Sequence, residues 1–362
     1  MADSGETHAK TNTIILAIET SCDDTSVAII RDGEVASVIV SSQAEHEEWG
    51  GVVPELASRA HLNVISPILT RTIEKAGITF GDVNAIAVTN EPGLIGSLLV
   101  GLNVAKGLAV ALGKPLITVN HIEAHLLSVM LEQKIDFPYL ALVVSGGHTM
   151  LYDVQGAGNY TLLGATRDDA AGEAFDKGGK LLGLGYPGGP LVDRYGAKGD
   201  PTYHKFPRSL LDDSSDDFSF SGLKTSLRYF LRDRYPNGIS REEDLADICA
   251  SYQEAIVDSL LVKTFRAAKG LGYSRIAIVG GVSANSRLRE KFQEKASKEG
   301  MTIFLTSPIY STDNAAMIGL VGWLRYKDRK FNELTVTAKG ALSEAKAVRR
   351  GKGGVRPSDL RK

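Results

Sequence analysis

Two histidines of the segment HIEAH, His121 and His125, stand four residues apart on a stretch with helical patterning. At that spacing both imidazoles project from one helix face, as two ligands of a single metal ion require. The same spacing also arises on an ordinary solvated helix. A zinc-protease H-E-x-x-H signature is poorly supported, because Ile122 stands where its glutamate would be and the acid is Glu123. A third donor is available in Asp313 of STDNAAM, although its place before a helix reads equally as an N-terminal cap. In IAIVGGVSANSRLRE, glycines follow a strand and Asn285 could bond a purine or a ribose; the plainer reading is a strand-to-helix turn capped by Ser283. The segment lacks G-x-G-x-x-G, which argues against a Rossmann dinucleotide site. Gly188 and Gly189 of YPGGP either meet a ligand or allow a turn, and Asp176 on the preceding helix is either catalytic or a solvated carboxylate.

The elements that must position these residues follow from hydrophobic pattern and breakers. Strands are expected at residues 14–19, 26–30 and 35–40, then a helix opened by Pro54 and stopped at Gly77, a strand at 85–89, a helix after Pro92-Gly93, a strand at 115–119 and a helix at 122–131. The pattern restarts with strands at 139–144, 150–154 and 160–165 and a helix at 173–182. An acidic excursion, LLDDSSDDFSF, comes next. Helices at 245–268, 286–297 and 312–326 and strands at 275–279 and 302–305 complete the second half. A doubled βββαβα unit is the organisation of the two-lobed actin-like (ASKHA) α/β fold, built from ribonuclease-H-like halves around a nucleotide cleft. The turns TSCDD, with Asp23 and Asp24, and SGGH fall at matched places, where exposed backbone amides can cradle phosphate oxygens. The expected division is a flexible extension at 1–13, an N-terminal lobe at 14–134, a C-terminal lobe at 135–330 with an insertion at about 195–240, and a basic, flexible tail at 331–362.

Length and composition agree with two packed lobes: 362 residues, 43% hydrophobic and 23% charged. Two cysteines, Cys22 and Cys249, cannot form a disulfide framework and suit a reducing compartment. The N-terminal residues show no apolar signal region, so the cytoplasm is the expected location. The run Leu94 to Gly113 is long enough to raise the question of a membrane span, but Asn103, Lys106 and its glycines favour a buried core helix. With a net charge of -2, nucleic-acid binding would require a local patch. Arg349, Arg350, Lys352, Arg356, Arg361 and Lys362 offer one suited to phosphate-backbone contacts, although such a tail is more often only a solubilising end.

Taken together, IETSCDDTSVAI at 18–29, GGVVPELASRAH at 50–61, PGLIGSLLVG at 92–101, HIEAH at 121–125, LVVSGGHT at 142–149, DDAAGEAFDK at 168–177, YPGGP at 186–190, FSFSGLKT at 218–225, GGVSANSRLR at 280–289 and TDNAAMI at 312–318 resemble the bacterial TsaD family. The resemblance runs from about Ile14 to Tyr326. It implies an acyltransferase that moves the threonylcarbamoyl group from threonylcarbamoyl-adenylate to N6 of the adenosine 3′ of the anticodon, in tRNAs reading A-starting codons, with AMP leaving. It also implies that His121, His125 and Asp313 bind one divalent metal, iron in the usual description and zinc as the other candidate. Val143, Val144, Ser145, Gly146, Gly147, Asp176, Gly189 and Asn285 match substrate-binding positions, with Asp193 close to the same loop, and an adenine nucleotide could occupy the same cleft. Asp23 and Asp24 are candidates for the general base. The implied partners are tRNA, a TsaB-like paralogue and a TsaE-like P-loop ATPase. An ATPase or sugar-kinase-like phosphotransferase of the same fold is the competing reading, but phosphoryl transfer there has no need of a histidine pair. Two departures stand out: Glu91 replaces a glycine of the family pattern, and the first hairpin reads CDD where CDE is common.

Overall fold

The computed structural model describes residues 12–43, 51–211 and 214–340. They divide into two compact units, with the chain passing from the first to the second between Ala124 and His125 and returning between Asp313 and Asn314.

In the first unit, β1 (Ile14–Glu19), β2 (Asp24–Arg31) and β3 (Glu34–Ser42) form an antiparallel meander, and β4 (Ala85–Glu91) and β5 (Leu116–Asn120) add in parallel, in the order β3-β2-β1-β4-β5. Every residue of β1 is buried, which is why IILAIE reads as a continuous apolar run. Its alternation sorts the cover. Ile14, Leu16 and Ile18 join the core beneath α1 (Pro54–Lys75) and α2 (Ile95–Leu112), while Ile15 and Ala17 meet the last helix, α10 (Ala315–Lys327). Gly322 of α10 lies so close to the sheet that a Cβ there would stand 2.6 Å from that of Ala87.

The second unit repeats this topology. β6 (Tyr139–Val144), β7 (Thr149–Gly156) and β8 (Asn159–Ala165) form the meander, and β9 (Arg275–Val279) and β10 (Thr302–Leu305) the parallel extension, in the order β10-β9-β6-β7-β8. Its core gathers around α7 (Glu242–Leu271), whose Tyr252, Ile256, Leu260 and Phe265 are buried against α4 (Ala171–Leu181), α5 (Gly188–Gly196), α6 (Ser221–Arg234) and α8 (Ser286–Glu299).

Three expectations change. A single changeover at 134/135 gives way to the two crossings above, and α10, expected in the C-terminal lobe, belongs to the first unit because its small residues fit the open face of that sheet. The expected helix at 312–326 begins at Ala315, after a separate turn, α9 (Pro308–Ser311). The tail expected from residue 331 is packed at its start. Asn332 pairs with Leu116 on β5, and Val336 and Ala338 lie against the first core. The basic residues from Arg349 onward, the N-terminal segment up to residue 11 and residues 212–213 of the acidic excursion lie outside the described residues. The apolar helix α2 has a mean hydropathy of 1.8 and is long enough to cross a membrane, but Leu98, Leu102, Ala105 and Ala109 are spent on the first core. Ile95, Leu99 and Val110 are exposed, so the expectation of a buried helix holds for one face of α2 only.

Candidate active site

Asn120 ends β5 and caps the short helix that follows it, α3 (His121–Leu127): its Oδ1 accepts from the amides of Ile122 at 2.8 Å and Glu123 at 3.1 Å. The cap fixes where α3 starts and therefore places His121 in the first turn and His125 one turn on. Both are buried, against the reading of a solvated pair. His125 Nε2 lies 3.0 Å from Asp313 Oδ1. Asp313 is not the cap of α10; Asn314 is, its side chain accepting from Met317 N. The ligand atoms offered by His121, His125 and Asp313 all lie within 4.8 Å of one another. Two imidazoles and one carboxylate form a donor set that suits a divalent transition metal and leaves coordination positions open.

Glu19, the last residue of β1 and wholly buried, is a member of this neighbourhood that the sequence reading did not single out. Its Oε2 lies 3.1 Å from His121 Nδ1 and accepts from Thr89 Oγ1, while Oε1 accepts from Ser21 N at 2.5 Å. Ser21 Oγ is 3.2 Å from the same His121 nitrogen. A carboxylate held at one ring nitrogen fixes the tautomer and tilt with which the other can bind a cation. The available signal was an acid closing an otherwise apolar buried strand. Ser21 N is thus committed to Glu19, which removes it from the expected phosphate cradle of the first hairpin. Asp23 lies in that hairpin and Asp24 opens β2. Buried His61 braces the hairpin, its ring nitrogens 2.7 Å from Thr25 Oγ1 and 2.9 Å from Cys22 O. Glu123 faces Arg325 at 2.6 Å; burial raises its pKa, and the guanidinium offsets only part of that.

In the second unit, the candidate substrate residues come together. Val143 and Val144 end β6 and are wholly buried, so neither offers an exposed group to a ligand. The turn beyond them is closed by Ser145 N donating to His148 O and by His148 N donating to Ser145 Oγ. Gly146 and Gly147 at its tip are exposed, with space where a Cβ would stand. Gly172 in the first turn of α4 donates to Ser145 O, and Gly280, at φ +93°, is pressed against Val144 O, so the start of α4 and the loop after β9 flank this turn. Asp176 Oδ1 accepts from Gly188 N at 2.8 Å and Gly189 N at 3.3 Å, tying α4 to the start of α5; burial nevertheless raises its pKa. Asn285, not Ser283, caps α8: its Oδ1 accepts from Leu288 N, and its amide donates to Gln253 at 2.6 Å. Asp193 accepts from Ser286 N and Oγ, joining α5 to the same helix start.

Fold and site define an actin-like α/β protein carrying a His-His-Asp constellation on α3 and the chain before α10. Among solved structures of this fold, component A of the Acidaminococcus fermentans (R)-2-hydroxyglutaryl-CoA dehydratase matches with a TM-score of 0.53 at 14% identity, over 87% of this chain and 99% of that one. Full-length HypF matches with 0.59 at 13% identity, over 90% of this chain and 48% of that one. Residues 34–320 match the family described as TsaD: tRNA N6-adenosine threonylcarbamoyltransferase. A protein of that description from Syntrophus aciditrophicus is 49% identical over 90% of this chain and 96% of its own, and one from Anaeromyxobacter sp. is 53% identical over 85% and 93%. The chain belongs to the TsaD family and is a transferase.

Proposed function

We propose that this protein transfers the threonylcarbamoyl group from threonylcarbamoyl-adenylate to N6 of the adenosine 3′ of the anticodon in tRNAs reading A-starting codons. The observation that carries the reading is a family match through most of the chain, in a fold that gathers His121, His125 and Asp313. In the reaction the adenosine N6 forms a bond to the carbamoyl carbon, the bond from that carbon to the phosphate oxygen breaks, AMP leaves with the electron pair, and N6 gives up a proton. His121, His125 and Asp313 would hold a divalent cation, iron in this proposal and zinc its competitor. Bound there, the cation would polarise the oxygens of the acyl donor and orient it. The amides of Gly146 and Gly147, both exposed residues, would donate to the adenylate phosphate, the group that gains charge as the anhydride bond breaks. Asp176 holds Gly188 and Gly189 in place, and the Asn285 and Asp193 bonds keep the start of α8 fixed beside α5, so the nucleoside meets a preorganised surface. Asp23 and Asp24 are the proposed bases for the N6 proton.

The proposed partners are tRNA, a TsaB-like paralogue and a TsaE-like P-loop ATPase, in the cytoplasm. Exposed Leu62 on α1 and Ile95, Leu99 and Val110 on α2 support an apolar protein partner for the first unit. The basic residues from Arg349 onward are proposed to add to RNA affinity. Nucleoside mass spectrometry of unmodified tRNA incubated with the protein, its partners and threonylcarbamoyl-adenylate tests the reaction. Threonylcarbamoyladenosine should form with the intact protein, and the double change His121→Ala, His125→Ala should abolish both product and bound metal. Product formation by the double variant would refute the site.

A further inference from the structure

Many cations of the second unit are held in ion pairs. Arg208 pairs with Asp258, Lys177 with Asp169 and Glu173, Arg287 with Glu254 and Glu290, and Lys291 with Glu254 and Asp258. α6 concentrates cations on one short helix. Its sequence, SGLKTSLRYFLRDR, holds Lys224, Arg228, Arg232 and Arg234 against a single acid, Asp233. Asp233 pairs with Arg232, and among the described residues Lys224, Arg228 and Arg234 make no ion pair. Lys224, Arg228 and Arg232 recur every fourth residue, which puts them on one face about 6 Å apart along the axis. Arg228, Arg232 and Arg234 are exposed.

An aromatic platform lies on the same helix. Tyr229 is 53% exposed, and the Arg232 guanidinium stacks 4.9 Å from its ring centre. Beside it is an open depression of about 550 Å³ lined by His204, Thr225, Ser226, Tyr229, Phe230 and Arg234 among others. An exposed tyrosine on a helix that also presents Arg228 and Arg234, exposed and without an ion pair among the described residues, is the combination that holds single-stranded nucleic acid, with bases stacking on the ring and phosphates meeting the cations. The helix is a firm base for it. Leu223 and Leu227 are buried in the core, and Asp168 accepts from Phe220 N, Ser221 N and the hydroxyls of Ser219 and Ser221 at the start of the helix.

We propose that α6, through Lys224, Arg228 and Arg232 and the Tyr229–His204 depression beside them, is a surface on which this protein holds the phosphate backbone and an unpaired base of its tRNA. The proposal rests on the tRNA reading above and gives it a location. With a net charge of only -2, the chain has no global attraction for RNA, so a patch of this kind must supply it.

The test is titration of full-length protein with unmodified tRNA by fluorescence anisotropy at several salt concentrations. The double variant Lys224→Glu, Arg228→Glu should bind at least tenfold more weakly, and its plot of log affinity against log salt should be shallower by about 1.5, as expected for two lost phosphate contacts. Tyr229→Ala should weaken binding several-fold and leave the slope unchanged. Lys298→Glu, an exposed reversal on α8, should match the parent, and the α6 variants should retain their metal. Parental affinity and slope in the double variant would overturn the surface while leaving the transferase reading intact. If the parent protein binds no tRNA, both fall.

Discussion

Glu19 shows how one residue can set what a candidate metal ligand would do. Its carboxylate meets His121 Nδ1, Thr89 Oγ1 and Ser21 N, so β1, β4 and the first hairpin all bear on the tilt of one imidazole. Glu19→Gln preserves the shape but replaces one acceptor oxygen with a donor. It should lower metal affinity by about 10–100-fold, measured as metal retained against a competing chelator, with thermal unfolding of the metal-free protein little changed. Undiminished retention would reduce Glu19 to a structural role. The ligand positions were visible in the sequence as residue types at a spacing, but the neighbours that aim them were not, because Glu19 and His121 are far apart in the chain. Capping was legible only to within a residue or two: Asn314 rather than Asp313, and Asn285 rather than Ser283, accept the helix amides. Glu91, which stands where the family pattern has a glycine, has its charge met by Lys339 Nζ at 2.8 Å. The pair is partly exposed, so its value is small.

At the scale of elements, the strands were readable because apolar runs of four to eight residues bounded by turn residues have few alternatives. Helix ends were less so, since they depend on partners distant in sequence. The start of α6 is the clearest case. Phe220 offers no side-chain cap, and Asp168, from the loop before α4, accepts the Phe220 and Ser221 amides in its place. Partial burial alone would raise the Asp168 pKa, but bonds from Ser219, Phe220 and Ser221 outweigh it and hold the group below its ordinary value of 3.8. A depressed pKa stabilises the fold above that ordinary value and is lost as pH falls through the lower folded value. Asp168→Ala should therefore cost about 1–2 kcal/mol in urea unfolding at pH 7, and the difference from the parent should shrink below about pH 4. A cost that persisted unchanged into acid would mean that the carboxylate charge is not what holds α6.

At the scale of the whole molecule, the doubled topology was legible because each half carries its own meander and parallel extension. What was hidden is that the chain returns to its first unit: α10 and the segment after it belong with β1 and β5, a pairing that no local pattern encodes. β5 is an edge strand in the order β3-β2-β1-β4-β5, with groups that would otherwise invite pairing with another chain. Asn332 covers that edge, its amide donating to Leu116 O and its Oδ1 accepting from Thr118 N, both at 2.8 Å. Further along, Lys106 Nζ donates to Val336 O, Val336 and Ala338 pack on the first core, and Lys339 N donates to Asn90 O. Truncation after Lys330 removes all of these at once, whereas truncation after Gly340 keeps every one. The shorter protein should unfold at lower urea by several kcal/mol, show faster hydrogen exchange at the β5 amides and aggregate through the uncovered edge. Asn332→Ala should reproduce about 1–2 kcal/mol of that loss. If truncation after Gly340 is as damaging as truncation after Lys330, the stabilising contacts lie further along the chain and Asn332 is not the cover of this sheet.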